Sequence, residues 1–514
     1  MPIIVLVSAS AIPAVTKTER DSPTDLIDEL VGDMLARFQS SVPIPSENGT
    51  SLLAQLLSAL EGESYSIATE SSDPIIRAAN LDIIRDAFLY GDAVGGGPYY
   101  PSGILGIAKD VLDITNIQLD LTPQILLAIN DSKQAILDAA KYNGLQTLDD
   151  YVTLYDGEWI NSLPNGPDLG VQTNYTQDLF FSMQRLSNSP YQIRRLRKGS
   201  DELEFTIDTT TASEISGMSL EKLLEEGRLF YADYRDQIGL ESTGRFAALC
   251  DAYFYIDATS GDFLPLAIRT NVGSNLVYTP LDSPNDWLLA KMMYNVNDFW
   301  FAQWNHLAAT HEVVQIVWMA GIRSLSREHP VYAILNRVTY QLFAIQILAE
   351  AVLFNSGGAV DLVFPYSGQA AKNYTTNRYN NGAGQFKANY FKTDLKSRGL
   401  IDYCHGPRIK NFPFYQDAGV IYDAIHTFMT SFVKSYYSSD SEVASDQEIQ
   451  AWVEECNGAA QVFDFPSEIS SIDTLIDVLT HVPGASGLIG TSRSQHERTS
   501  SSLEHIAIQS TISL

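Results

Sequence analysis

Asp286–Ser326 reads DWLLAKMMYNVNDFWFAQWNHLAATHEVVQIVWMAGIRSLS, and the rest of the chain is arranged around it. Between Asp298 and Arg323 the only formal charge is Glu312; aromatic and aliphatic residues dominate, broken by Asn305, His306, His311 and Gln315. No Pro or Asn-Gly signal interrupts the run, and its one late glycine is Gly321. This predicts a single long helix, apolar on most faces and therefore central in a large domain. A membrane span is the rival reading, and it fails because the polar residues sit mid-segment, where hydrocarbon penalises them.

His306 and His311 are five residues apart. On a regular α-helix that spacing separates side chains by roughly 140°, so the rings do not converge. A metalloprotease-type pair is four apart for this reason. Convergence here requires a local π-turn, a feature that tends to mark functional sites. On spacing alone two readings stand: a pair of core histidines satisfied by hydrogen bonds, or a pair of metal ligands.

The wider stretch Asn285–Leu335 resembles the metal-ligand helix of the lipoxygenases. In that family D-W-L-x-A-K leads into a helix bearing H-x4-H, both histidines bind a non-haem metal, and L-S-x-x-H-P-[IV]-Y follows. Here the last piece is Leu325-Ser326-Arg327-Glu328-His329-Pro330-Val331-Tyr332. By that resemblance His306 and His311 are metal ligands, and His329 is a structural helix-end histidine.

The resemblance extends in both directions. Ser219–Asp236, SLEKLLEEGRLFYADYRD, is similar to the family's L-x-x-G-R-L-F-x-x-D-Y. Phe246–Thr270 reads as two strands around a turn at Ser260-Gly261. After His329-Pro330 a second long apolar helix is expected, ending at Asn355-Ser356-Gly357-Gly358. The pattern I-x-x-L-A-x-x-x-L-x-N-x-x-G places Ala349 where the family has the small residue that steers oxygen: Ala accompanies S-configured hydroperoxides in most members, Gly accompanies R. Leu353 and Val360 fall on positions that clamp the substrate's pentadiene. Ordinary core packing is the plain reading of all three. Glu350 departs from the family's usual Arg. Similarity continues through YFKTDLKSRG and FPFYQDAGVIYDAI to the helix DQEIQAWVEEC, with Ala418 before Gly419 a one-residue departure in spacing. It runs from about Leu223 to about Val482.

Beyond Val482 the pattern changes. Family members continue into a second ligand helix with H-x3-N, then reach a C-terminal Ile or Val whose carboxylate binds the metal. Here Pro483, Gly484 and Gly487 break the helix, and a Ser/Thr-rich tail follows. The family's third histidine would fall near Gly490; His481, His496 and His505 are out of register. His496 and the carboxylate of Leu514 are the remaining candidate ligands.

At the other end, Ile3–Val15 is apolar without a basic lead, leaving both secretion and a cytoplasmic location open. Sequons at Asn48, Asn130, Asn174 and Asn373 permit glycosylation. Residues 25–150 carry helical patterns, among them DLIDELVGDMLARF, SLLAQLLSALEG and ILLAINDSKQAILDAAKYNGL. Gly95-Gly96-Gly97-Pro98 is a turn and no phosphate loop, since the Lys-Ser/Thr that would follow is missing. Plant and animal lipoxygenases open with a β-domain; this chain begins in the helical part, as fungal and some bacterial members do.

With 33 basic and 62 acidic side chains the net charge is −29, which argues against nucleic-acid partners and anionic membranes. Cys250, Cys404 and Cys456 form no zinc spacing. The expected organisation is a leader or signal segment at 1–24, a mainly α-helical lipoxygenase-like domain at 25–482 built as a bundle around the central helix with a small β-hairpin region, and an aberrant tail at 483–514. The resemblance implies a monomer without a transmembrane segment, holding one non-haem iron or manganese ion. It implies that dioxygen adds to a polyunsaturated fatty acid of linoleate or linolenate type after a metal-bound hydroxide removes a hydrogen. The altered tail raises the alternative of an inactive, lipid-binding relative.

Overall fold

The computed structural model describes residues 65–484, apart from 92–99, 140, 142–146, 148, 163–173, 188 and 272–275. The leader, the helical patterns at 25–38 and 51–62, Gly95–Pro98 and everything after Gly484 lie outside the described residues. Ser283 opens the central helix: its hydroxyl accepts the Asp286 amide at 3.3 Å, and Pro284 takes the first turn, where a missing N–H does no harm. The helix runs Pro284–His306, continues through a π-turn at Leu307–Glu312, and ends with Val313–Ser324. The long helix expected from the sequence is present, with one altered turn in its middle.

Its segments face different cores. Trp287, Ala290, Tyr294 and Phe301 pack with a sheet, and Val313–Ala320 with the helices Gln447–Asn457 and Ile472–Pro483. Between them Trp300 and Trp304 meet Val360, Phe364 and Tyr374. From Val313 to Ile322 every residue is buried, so this part has no polar face to betray its surroundings.

Strands β1 (Leu89–Tyr90) and β2 (Pro101–Ser102) form a short antiparallel ladder. Strands β3 (Arg194–Arg195), β4 (Leu229–Asp233), β5 (Asp251–Ile256), β6 (Phe263–Thr270) and β7 (Leu276–Tyr278) form an antiparallel sheet in that order. The strand pair predicted around Ser260-Gly261 is β5–β6, the middle of this larger sheet. The sheet's extent is hidden in the sequence because both of its faces are covered. Phe230, Ala252 and Phe254 point to the central helix, while Leu229, Tyr231, Tyr253 and Tyr255 enter a second apolar cluster. Gly227, just before β4, has φ +62°, and a Cβ there would stand 2.4 Å from the His405 carbonyl; only glycine fits.

The second long helix expected after Pro330 is corrected to several pieces: Pro330–Val338, Leu342–Leu348, a π-turn at Ala349–Leu353, and Ala359–Val363. The Thr339 hydroxyl donates to the Leu335 carbonyl at 2.7 Å, and Gln341 takes a left-handed φ of 61°, so the axis turns there without any Gly or Pro. The helix Ile472–Pro483 ends where the sequence places its break.

His329 is a helix cap, as its place before Pro330 predicts. Its Nδ1 accepts the Val331 amide at 3.1 Å, which leaves Nε2 to donate to Asp446 at 3.2 Å. Tyr437 donates to the same carboxylate oxygen at 2.8 Å, and the other oxygen caps the helix Gln447–Asn457. All three side chains are buried. Two residues on from Asp446, Glu448 receives Arg77 at 3.0 Å and the Ser326 amide at 2.9 Å. Burial by itself would raise the Asp446 carboxyl; the bonds from His329, Tyr437 and the Ile449 amide outweigh it and hold the group at about 2.

Asp446→Ala removes a cap and leaves two buried donors unanswered, so it is expected to lower the unfolding free energy by roughly 3 kcal/mol. An earlier urea midpoint would report this. The folded value lies below the unfolded value of about 3.9, so the stabilisation is present above that pH and is lost as pH falls toward about 2. The variant should therefore show a shallower acid limb; an equally steep one would refute the assignment.

Candidate metal centre

The π-turn expected from the five-residue spacing is where the two histidines sit. His306 is the last α-helical residue, and His311 lies inside Leu307–Glu312. Hydrogen bonds of the i→i+5 kind bring residues five apart onto one face, so the rings converge instead of diverging. Thr310 contributes locally: its hydroxyl donates to the His306 carbonyl at 2.6 Å, occupying an acceptor that a regular turn would reserve for an amide.

The two ring centres are 5.6 Å apart, with the planes at 76°. Imidazoles sharing one cation through bonds of about 2.1 Å have ring centres within about 6.5 Å, so the pair fits a single metal ion. Imidazole nitrogen suits iron, whereas manganese is also drawn to carboxylate, carbonyl and water oxygen, so a manganese ion here would need oxygen ligands beside the two rings. Among the described residues no third His, Cys, Asp or Glu joins the pair in a cluster able to hold a metal. Burial pushes the Glu312 carboxyl, beside His311, up to about 8, so it is largely protonated at neutral pH and adds little charge here.

Asn305, immediately before His306, is buried, and its Oδ1 accepts Nε of Arg378 at 3.1 Å. Eight residues earlier on the same helix, Asn297 exchanges bonds with Gln237: Nδ2 donates to Oε1 at 2.7 Å, and Gln237 donates back to the Asn297 carbonyl at 2.8 Å. Sequence reasoning did not find these links, since their partners lie far along the chain.

Ala349 is buried at the start of the second π-turn, and its carbonyl accepts the Phe354 amide at 3.0 Å. Leu353 and Val360 meet in one apolar cluster with Trp304 and with Leu307, the neighbour of His306. The structure thus brings Leu353 and Val360 to the residues flanking the histidine pair. Glu350, the departure from the family pattern, pairs with Lys372 at 2.8 Å.

His481 is buried between Phe386 and Tyr390, with ring centres 4.7 and 4.8 Å away. Its Nε2 and the Thr480 hydroxyl have no hydrogen-bond partner among the described residues. Both residues line a cavity of about 290 Å³ that also touches Asn305, Ala309, Arg378 and Gly484. His481 therefore shares a cavity with neighbours of the pair but does not complete it. His496, His505 and Leu514 lie outside the described residues. No described helix is long and apolar enough to cross a membrane.

A lipoxygenase family model matches residues 195–482. A manganese lipoxygenase of Fusarium oxysporum (strain Fo5176) is 44% identical over 429 residues, covering 82% of this chain and 70% of that protein. A manganese lipoxygenase of Nakataea oryzae is 41% identical over 461 residues, covering 89% and 74%. A solved manganese lipoxygenase structure superposes with a TM-score of 0.79 at 40% identity, covering 82% of this chain and 74% of that one.

Burial pushes the His481 imidazole down to about 3, whereas a free histidine titrates near about 6.5. The unfolded chain takes up a proton that the folded chain refuses, so this group's stabilisation is complete above about 6.5 and is lost as pH falls toward about 3. His481→Phe is expected to flatten the stability profile between roughly pH 6.5 and pH 4, measured by urea unfolding. An unchanged slope would show that His481 is protonated in place.

Proposed function

Because the chain belongs to the lipoxygenase family, a class of metal-dependent fatty-acid dioxygenases, we propose that it adds dioxygen to a polyunsaturated fatty acid of the linoleate or linolenate type. In this reading His306 and His311 are two ligands of one non-haem ion, and the relatives' names favour manganese over iron. The observation that carries it is the π-turn that sets the two rings 5.6 Å apart. We assign the remaining ligands to residues beyond Gly484, with His496 and the Leu514 carboxylate as candidates, and we take 25–482 as the catalytic unit and 483–514 as its altered tail.

When bound, the ion supplies the one-electron chemistry that removes a hydrogen from a bis-allylic carbon. The chain's own residues have other tasks. Trp304, Leu307, Leu353 and Val360 make a dry apolar wall beside the histidines, suited to hold an acyl chain and to exclude water. Ala349 acts sterically: one methyl group decides how much room is left over one end of the pentadiene.

The second reading is a lipid-binding relative without catalysis. It is favoured by one observation, that the described residues supply two donors and no third.

Replacing His306 or His311 by Ala is expected to abolish bound manganese or iron, measured by mass spectrometry of the digested full chain, together with oxygen uptake on linoleate. Stoichiometric metal in both variants would defeat the ligand assignment. A metal-free wild type without oxygen uptake would instead select the lipid-binding reading.

Ala349→Gly is expected to move the product hydroperoxide toward the R configuration on a chiral column. Unchanged chirality would remove Ala349 from stereocontrol.

A further inference from the structure

We propose that Arg378 is a positioning residue for the candidate metal centre, acting through Asn305 on the turn that aims His306. The inference rests on the metal reading above and goes beyond it by naming what holds the π-turn in place.

Arg378 is the last residue of the helix Gly368–Arg378 and leads directly into another π-turn, Tyr379–Ala383. The Tyr379–Ala383 turn packs against Leu307–Glu312. The guanidinium makes three contacts at once. Its Nε donates to Asn305 Oδ1 at 3.1 Å. Its Nη1 lies 3.5 Å from Asp236, which also accepts the Tyr374 hydroxyl at 2.9 Å. Its plane lies over the Phe301 ring, 4.9 Å from the centre.

Phe301 and Asn305 are four residues apart and so share one face of the central helix. Arg378 grips that face over the last turn before the π-turn begins. A π-turn gives up the regular hydrogen-bond register and persists only where its surroundings hold it. Here they do so from both sides. Arg378 fixes the residue before His306. On the far side, the side-chain Nδ2 of Asn389 shares its two hydrogens among the Gly382, Ala383 and Gln385 carbonyls at 3.0, 2.9 and 2.7 Å, stiffening the loop that carries the opposing turn.

The Asn305 contact marks this as more than a surface ion pair. Asp236 already satisfies the charge, and the Nε bond goes to a neutral, buried amide adjacent to a candidate ligand. Only a planar fork with several donors reaches the carboxylate and the amide while stacked on a ring; a lysine ammonium offers a single point. Residues that orient ligands from behind change metal affinity by roughly 10–100-fold when removed.

The test uses the full chain loaded with Mn2+ and then mixed with excess EDTA, with release followed by electron paramagnetic resonance. Arg378→Met is expected to release manganese roughly 10–100-fold faster and to alter the bound-ion spectrum. Asn305→Leu should do the same while leaving Arg378 on Asp236 and Phe301, and it stands in if the arginine variant does not fold. The double variant should be no faster than either single one, because both remove the same link. Asn305→Asp, which keeps an acceptor, should restore slow release. Wild-type release from Arg378→Met or Asn305→Leu, or effects that multiply in the double variant, would overturn the proposal. A wild-type chain that takes up no manganese would overturn the metal reading and this inference with it, and that failure appears at the loading step, before any variant is compared.

Discussion

The structure depends on one change of register inside one helix. Two histidines five residues apart diverge on an α-helix and converge on a π-turn, and the chain takes the second geometry at Leu307–Glu312. That choice demands support, because an expanded turn loosens packing and leaves backbone groups to be satisfied otherwise. The support is visible in three places: Thr310 bonds back to the His306 carbonyl, Ala308 and Val313 are fully enclosed, and another π-turn, Tyr379–Ala383, packs alongside.

The ends of the central helix are tied by polar groups as well as by apolar area. Lys291 reaches Asp178 at 2.8 Å and Trp287 donates to the same carboxylate at 2.7 Å. At the other end Arg323 meets Glu455, and the turn after Ser324 is caught by Glu448 and His329. Buried polar groups left unpaired cost far more than paired ones return, so these links select one seating of the helix more than they add net stability. A helix that is apolar all round could slide or rotate among similar environments; its few polar positions remove that freedom.

Much of this was legible in the sequence, and the limits have physical causes. His329 could be read as a helix-end residue from the family resemblance, and the proline after it agrees with that place. The π-turn could be read from the histidine spacing once convergence was required. The break at Thr339–Gln341 could not, because it arises from a side-chain hydrogen bond and a left-handed glutamine, neither of which carries a Gly or Pro signal. The breadth of the sheet was hidden for a related reason: β4 and β5 are covered on both faces and show no polar alternation. The links from Asn305 to Arg378 and from Asn297 to Gln237 span 73 and 60 residues, and nothing local announces them. His481 looked like one more out-of-register histidine, and only its enclosure by Phe386 and Tyr390 distinguishes it.

The central helix also places the histidines next to part of the apolar wall. Leu307 follows His306 directly and packs with Leu353, Val360 and Trp304. Successive residues on a helix are about 100° apart, so the His306 ring and the Leu307 side chain, one part of the wall, occupy adjoining faces of the same rigid element. The spacing of His306 and Leu307 is then set by covalent geometry and by the locked turn, while Leu353 and Val360 reach the wall from separate segments and are placed by packing. The proposed reaction, hydrogen removal from one carbon of a flexible chain, would need that constancy, since reacting atoms must be held near contact distance. Distributing the two functions over separate loops would leave their spacing to side-chain packing alone. The polar contacts at Asn305 and the apolar contacts at Leu307 flank His306 on either side, so a disturbance of either is transmitted to the ring through a single peptide unit.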